Sequence, residues 1–284
     1  MRPEKRAWMA VLAAMLLLAA AFGCQPESAE KLTVATGTTH IADIVQEVGG
    51  EKVEVVNIVP PGLCPGHFDL KPADVKKLAG AKLLLHHDWQ EKLFTKDLLD
   101  SVGNQELKAV PIAVAGNWMA PPVRKQAVEK IAAILSERDP ANKDLYQANA
   151  SRLIAQIEEK NQEVQARLEA AGIKGTRVLC AEMQQGFLSW AGFEVVGTYG
   201  RPEELTPQLL QDLVDQGRRA GVRLVADNLQ SGPEAGAPLA RELDVPRVTL
   251  SNFPGGFPGT DNWSAALDKN IELLLEALKS GQGS

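Results

Sequence analysis

The sequence has very few cysteines. Only Cys24, Cys64 and Cys180 occur among its 284 residues. A small fold held together by several disulfides is therefore excluded. A chain of this length can instead bury enough apolar surface to form one large domain or two modest ones.

The short motifs of common enzyme classes are also missing. There is no Gly-x-Ser-x-Gly, no glycine-rich phosphate loop with a lysine, no Cys-x-x-Cys and no His-Glu-x-x-His. The sequence therefore contains no motif that would indicate a hydrolase, an NTPase, a redox enzyme or a zincin. We expect a binding protein that is not an enzyme. A metallohydrolase assembled from residues far apart in the sequence is the enzymatic alternative.

Basic side chains are fewer than acidic ones. The chain carries 36 acidic and 30 basic side chains, which gives a formal net charge of −6 at pH 7. An acidic surface repels phosphate backbones, so we expect no nucleic-acid partner. It suits a protein that handles cations, although acidity alone does not specify one.

The N-terminus has the organisation of a bacterial lipoprotein signal. Arg2, Lys5 and Arg6 precede sixteen apolar residues (7–22), a length at the short end for a membrane span, and Gly23-Cys24 follows. The junction resembles a lipobox, in which the cysteine is acylated and becomes the new N-terminus. We predict a signal peptide at 1–23, lipidation of Cys24, a polar tether at 24–30 and an extracytoplasmic, membrane-anchored protein. A plain secretory peptide is the alternative.

Short apolar runs alternate with helical segments after the tether. This alternation predicts parallel sheets flanked by helices, because strands covered on both faces are apolar throughout. The predicted strands are Lys31–Ala35, Val53–Val59, Lys82–Leu85, Lys108–Ile112, Arg177–Cys180, Val195–Thr198, Leu224–Ala226 and Arg247–Leu250.

A long helix separates the two groups of strands. Residues 142–171 contain neither glycine nor proline, and apolar residues recur there at steps of three and four. We predict an α/β fold with two lobes, 31–141 and 173–284, each with a parallel sheet flanked by helices, joined by one rigid helix at 142–172. Ligands bind beyond the carboxyl ends of such strands, so the site should lie in the cleft between the lobes.

Several motifs resemble one known family. Val59-Pro60-Pro61-Gly62, His67-Phe68-Asp69 and the helix start Lys71-Pro72-Ala73-Asp74 are similar to segments of the receptor lipoproteins of zinc and manganese ABC importers, the cluster A-I solute-binding proteins. Further segments in the family's order extend the resemblance over essentially residues 31–284. They are Asn117–Pro122, Phe187–Gly192 and Trp263–Asn270. The resemblance implies two α/β lobes joined by one long helix.

The resemblance also implies a metal site, of which two ligands have counterparts. His67 matches the imidazole of the first loop, and Glu182 matches a carboxylate variant of the third ligand. Gly116-Asn117 stands where the family has a second histidine, and Ser251-Asn252 stands where it has an aspartate. This departure leaves the metal and its full ligand set open.

Residues of the third loop and two cysteines are candidate replacements. His86 and His87 follow a predicted strand, so only one should face the cleft, and we favour His87. Cys64 precedes His67 by three residues, and Cys180 precedes Glu182 by two. The thiols could pair, bind metal or be buried apolar groups. Asp227 and Asp261 are weaker oxygen-donor candidates.

We therefore expect the substrate-binding component of a metal-ion ABC importer. Its cargo would be Zn(II) or Mn(II), with Fe as a further candidate, and its partners would be the permease and its ATPase. The expected metal residues are His67, Glu182, His87 and Cys64. The alternatives are a metal chelate or small organic ligand in the same fold, or a surface adhesin.

Overall fold

The computed structural model describes residues 31–94 and 96–280, apart from the side chains of residues 97 and 98. The predicted signal peptide, Cys24 and the tether at 24–30 lie outside the described residues. Within the described part of the chain, no helix is long and apolar enough to cross a membrane.

The N-terminal lobe, defined as the described residues up to 142, contains a parallel four-stranded sheet. Its strands are β1 (Leu32–Thr36), β2 (Val53–Asn57), β3 (Leu83–His87) and β4 (Lys108–Ile112), in the order β2-β1-β3-β4. Its helices are α1 (Thr39–Gly49), α2 (Pro72–Ala79), α3 (Lys96–Ser101) and α4 (Pro121–Arg138). All four predicted strands of this lobe are present, each within two residues of the predicted ends.

The C-terminal lobe, defined as the described residues from 171 onward, repeats this topology. Strands β5 (Arg177–Ala181), β6 (Glu194–Tyr199), β7 (Leu224–Asn228) and β8 (Arg247–Leu250) are parallel in the order β6-β5-β7-β8. Its helices are α6 (Gln185–Trp190), α7 (Pro207–Ala220), α8 (Ala237–Leu243) and α9 (Trp263–Ser280). In the first sheet the chain continues to one side from β1 to β2 and then crosses to the other side at β3, so the switch point lies between β1 and β3. The second sheet has the equivalent switch point between β5 and β7.

A single helix, α5 (Lys143–Ala170), connects the lobes. It has 28 residues, which corresponds to about 42 Å at 1.5 Å per residue. The prediction of one long helix is confirmed, because neither glycine nor proline interrupts the segment and six of its apolar side chains are buried. These are Tyr146, Ala150, Leu153, Ile157, Val164 and Leu168.

The main hydrophobic core continues from one lobe to the other through α5. Val34 and Ile41 of the N-terminal lobe belong to the same buried cluster as Leu188 and Leu267 of the C-terminal lobe, with residues of α5 between them. Two smaller clusters cover the remaining face of each sheet. The shared core fixes the facing ends of the two sheets and so positions the cleft between them.

Candidate functional site

A cleft of about 860 Å³ lies where the loops after the strands of both lobes meet. Its walls include His40, which follows β1, and His87, which ends β3. From the other lobe they include Glu182, which follows β5, and Asn228, which ends β7. These are the switch points of the two sheets, where neighbouring loops diverge and leave a crevice. The repeated topology therefore explains why both lobes contribute polar groups here.

All four residues that the sequence predicts as metal ligands line this cleft. His67 ends the short turn Pro65–His67 after β2 and is exposed, and Cys64 next to that turn is half-buried. Glu182 begins the turn after β5 and is also exposed. Its carboxylate is therefore open to water, which solvates the charge.

His87 faces the cleft, whereas His86 packs against Phe94 with ring centroids 5.4 Å apart. Adjacent strand residues point to opposite faces, so only one of the two can reach the ligand space. The His87 Nε2 atom lies 3.0 Å from Thr38 Oγ1, and its ring stacks on Trp89 and meets Trp118 edge-on. Burial lowers the pKa of His87 to about 3. The imidazole is therefore neutral, which is the state that binds metal, but its Nε2 atom already has a partner.

His40 forms part of the same wall and joins the lobes. Its Nε2 atom donates to the carbonyl oxygen of Asn252, 2.6 Å away, and its buried Nδ1 atom has no protein partner. Burial, together with the positive charge of Arg124, lowers the pKa of His40 well below its ordinary value. His40 is thus a neutral residue of the cleft wall, placed there by the first turn of α1.

Across the described part of the chain, no three histidine, cysteine, aspartate or glutamate side chains are close enough together to hold a metal ion. His67, Cys64, His87 and Glu182 share one cleft without forming a compact ligand group. The roles of these four residues in metal binding stay a prediction.

Two other side chains considered as ligands have structural roles. Cys180 is buried in the core, is not paired with Cys64, and has its pKa raised to about 12 by burial. Asp227 is fully buried and accepts hydrogen bonds from Tyr199, Gly236 and Arg247 at 2.6–2.7 Å. Neither residue lines the cleft, so neither offers a free donor to a ligand.

Arg201 is a cleft residue that the sequence analysis did not include. It follows β6, and its guanidinium crosses the cleft to the loop after β2. There Nη1 contacts His67 Nε2, and Nη2 lies 3.1 Å from Cys64 Sγ. Inspecting the end of every predicted strand would have found it, because Arg201 comes three residues after the predicted end of this strand.

Comparison with known proteins decides the family. The model of the family described as zinc-uptake complex component A, periplasmic, matches residues 34–277. The chain belongs to this family.

Curated relatives and solved structures agree with this assignment. The chain is 22% identical to the iron ABC transporter substrate-binding lipoprotein MtsA of Streptococcus pyogenes serotype M1, over 95% of this chain and 96% of that protein. It is 26% identical to the metal ABC transporter substrate-binding lipoprotein FimA of Streptococcus parasanguinis, over 95% and 97%. The Mn-bound periplasmic metal binding protein of Candidatus Liberibacter asiaticus has the same fold, with a TM-score of 0.75 at 16% identity, covering 88% of this chain and all of that one.

At the two positions where this member departs from the family pattern, amide groups contact each other. Asn117 Nδ2 donates to Asn252 Oδ1 at 2.9 Å and to the carbonyl oxygen of Met183 at 2.8 Å. Both asparagines line the cleft. Neutral amides thus join the lobes where the resemblance implies a histidine and an aspartate.

Proposed function

We propose that the protein is the extracytoplasmic substrate-binding component of an ABC importer and captures a divalent transition metal, Zn(II) or Mn(II), in the cleft between its lobes. The observation that carries this proposal is the family match over residues 34–277, combined with a cleft that presents the imidazole of His67 and the carboxylate of Glu182. Opposite lobes supply these two groups, which supports an ion held in the cleft between the lobes.

The chemistry of the cleft supports a transition metal over Ca²⁺ or Mg²⁺. Imidazole nitrogen and thiolate sulfur favour transition metals, whereas calcium and magnesium prefer sites made only of oxygen atoms. If Cys64 takes part as a thiolate, the softer Zn(II) is favoured over Mn(II). The relatives widen the choice, because one is named an iron transporter component and a structural neighbour is Mn-bound.

The predicted lipid on Cys24 would anchor the receptor to the membrane beside its permease, with the ATPase on the other side. The curated relatives named above are lipoproteins of ABC transporters, which supports this arrangement. The proposed role is capture and delivery without turnover, so the protein would not be an enzyme.

Metal titration of the purified protein without its signal peptide tests the proposal. Isothermal titration with Zn(II) and Mn(II) should show one site, and His67→Ala should weaken binding by more than tenfold because it removes an imidazole ligand. Glu182→Gln should weaken binding while keeping the side-chain shape. Glu203→Gln, which removes the same charge at an exposed position that does not line the cleft, is the matched control.

The pattern across these variants separates the possible outcomes. Loss of binding in His67→Ala and Glu182→Gln, but not in Glu203→Gln, would support an ion held between the lobes. If the wild type binds no Zn(II), Mn(II) or Fe(II), the bare-ion proposal fails. A titration with zinc citrate would then test the chelate alternative.

A further inference from the structure

We infer that Arg201 competes with the metal ion for His67. Without metal, the guanidinium of Arg201 occupies the His67 nitrogen that would coordinate the ion, and this competition sets the metal affinity. This inference rests on the proposed function, because it requires His67 to be a ligand. The contact of Arg201 Nη1 with His67 Nε2 is the observation that carries it.

The competition follows from the donor inventory of the two side chains. A guanidinium has only N–H donors and no acceptor, so His67 Nε2 must accept with its lone pair. The same lone pair is the one that coordinates a metal ion. Because Nε2 has a single lone pair, Arg201 and a metal cannot share it.

The guanidinium blocks a second candidate ligand in the same way. Arg201 Nη2 donates to Cys64 Sγ at 3.1 Å, so one side chain covers two of the four predicted metal residues. It also carries a permanent positive charge, which repels a divalent cation that approaches the same atoms. Metal binding at His67 therefore requires Arg201 to leave.

The surroundings of Arg201 allow this movement. Its backbone N–H donates to Glu204 Oε2 at 3.0 Å, which fixes the main chain at the turn Pro202–Glu204. Within the described residues, no carboxylate forms an ion pair with the guanidinium itself. The side chain can therefore swing away while its backbone stays in place.

The contact also joins the lobes, since Arg201 belongs to the C-terminal lobe while Cys64 and His67 belong to the N-terminal lobe. Displacing the guanidinium would break this bridge each time metal is loaded. Metal binding and the loss of this contact between the lobes therefore occur together.

Removing the competitor should raise metal affinity, which is the opposite of what loss of an ordinary binding residue does. Zn(II) titration of Arg201→Met should give binding at least tenfold tighter than in the wild type. Arg201→Lys keeps a cation near His67 and should gain less. Arg219→Met removes the same charge from an exposed position on α7, outside the cleft, and should leave affinity unchanged.

The gain must also depend on His67. Arg201→Met should therefore give no gain in a protein that already carries His67→Ala. Arg201→Gln provides a second uncharged variant if Arg201→Met folds poorly, and far-UV circular dichroism checks each variant.

The results distinguish this inference from the proposed function. If the wild type binds Zn(II) through His67 but Arg201→Met binds it equally or more weakly, the inference is overturned and the proposed function stands. Weaker binding would mean instead that Arg201 holds an anion that accompanies the metal. If neither protein binds Zn(II), Mn(II) or Fe(II), both are overturned.

Discussion

At the scale of single residues, the buried histidines link the cleft to the stability of the fold. Burial lowers the pKa values of His40, His86 and His87, that of His87 to about 3. Their neutral rings pack against Trp118, Phe94 and Trp89. The folded protein therefore keeps three imidazoles uncharged under conditions in which an unfolded chain would protonate them.

Acid should weaken the fold because of these histidines. Below about pH 6.5 the unfolded chain binds protons that the folded chain does not, so the free energy of unfolding falls as pH falls. For His87 alone the loss is about 1.4 kcal/mol per pH unit, or about 2 kcal/mol at pH 5. Urea unfolding at pH 7.5, 6.5 and 5 measures this loss.

The variant His87→Asn provides the test of that cause. Asparagine does not titrate, so the fall in unfolding free energy between pH 7.5 and 5 should be smaller than in the wild type by about 2 kcal/mol. Equal falls in the two proteins would mean that His87 is protonated in the folded state.

The amide pair of the cleft leads to a prediction of gained affinity. Asn252→Asp keeps the side-chain shape and can still accept from Asn117 Nδ2, but it adds a carboxylate to the cleft wall. We expect metal affinity to rise at least tenfold, which is about 1.4 kcal/mol. Competition with a fluorescent zinc indicator measures the change, and Asn262→Asp, which adds the same charge outside the cleft, is the control. Unchanged affinity in Asn252→Asp would place the metal away from residue 252.

At the scale of helices and strands, one buried ion pair ties together elements from both lobes. Arg124 of α4 is fully buried and pairs with Asp43 of α1, and its guanidinium lies over the ring of Trp263 at the start of α9. Asp43 Oδ2 also accepts from the backbone N–H of Trp263 at 3.2 Å. Three helices therefore depend on one carboxylate.

Removing that carboxylate should be costly. Asp43→Asn leaves the buried guanidinium of Arg124 without a counter-charge, and breaking a buried pair in this way costs about 3–5 kcal/mol. Urea unfolding should show this loss. Glu51→Gln, at an exposed position just after the end of α1, should change the free energy of unfolding by less than about 0.5 kcal/mol. A small effect of Asp43→Asn would mean that water stabilises Arg124.

Most helices and strands of this structure could be predicted from the sequence. All eight strands could be located, because strands covered on both faces are apolar runs bounded by polar turns. The long helix was also predictable, since its segment lacks glycine and proline. The alternation of side chains along β3 correctly separated His87 from His86.

The pairings across the cleft could not be predicted in the same way. Asn117 and Asn252 are 135 residues apart, and Arg201 and His67 are 134 apart. Contacts at such separation depend on how the lobes pack, whereas periodicity reports only local structure. The loop after a strand can be predicted to face the site, but its partner in the other lobe cannot.

At the scale of the whole molecule, the lobes are connected in three ways. The helix α5 links them, and one hydrophobic cluster runs from the first sheet through α5 to the second. Hydrogen bonds also cross the cleft, from Thr39 Oγ1 to Pro254 O at 2.8 Å and from Gln230 Nε2 to Pro61 O at 2.9 Å. A hinge between the lobes would have to disrupt a packed core, which resists continuous deformation.

Metal loading should therefore change the shape of the molecule very little. Small-angle X-ray scattering of the receptor with and without Zn(II) should give radii of gyration that agree within error, because side chains such as Arg201 move while the lobes stay in place.

Arg201→Met is the informative control. If the bridge of Arg201 alone held the lobes, this variant would open when metal-free and compact when loaded. If the core and α5 hold them, its two scattering curves will coincide as those of the wild type do. A large compaction of the wild type on metal binding would contradict a rigid connection through α5.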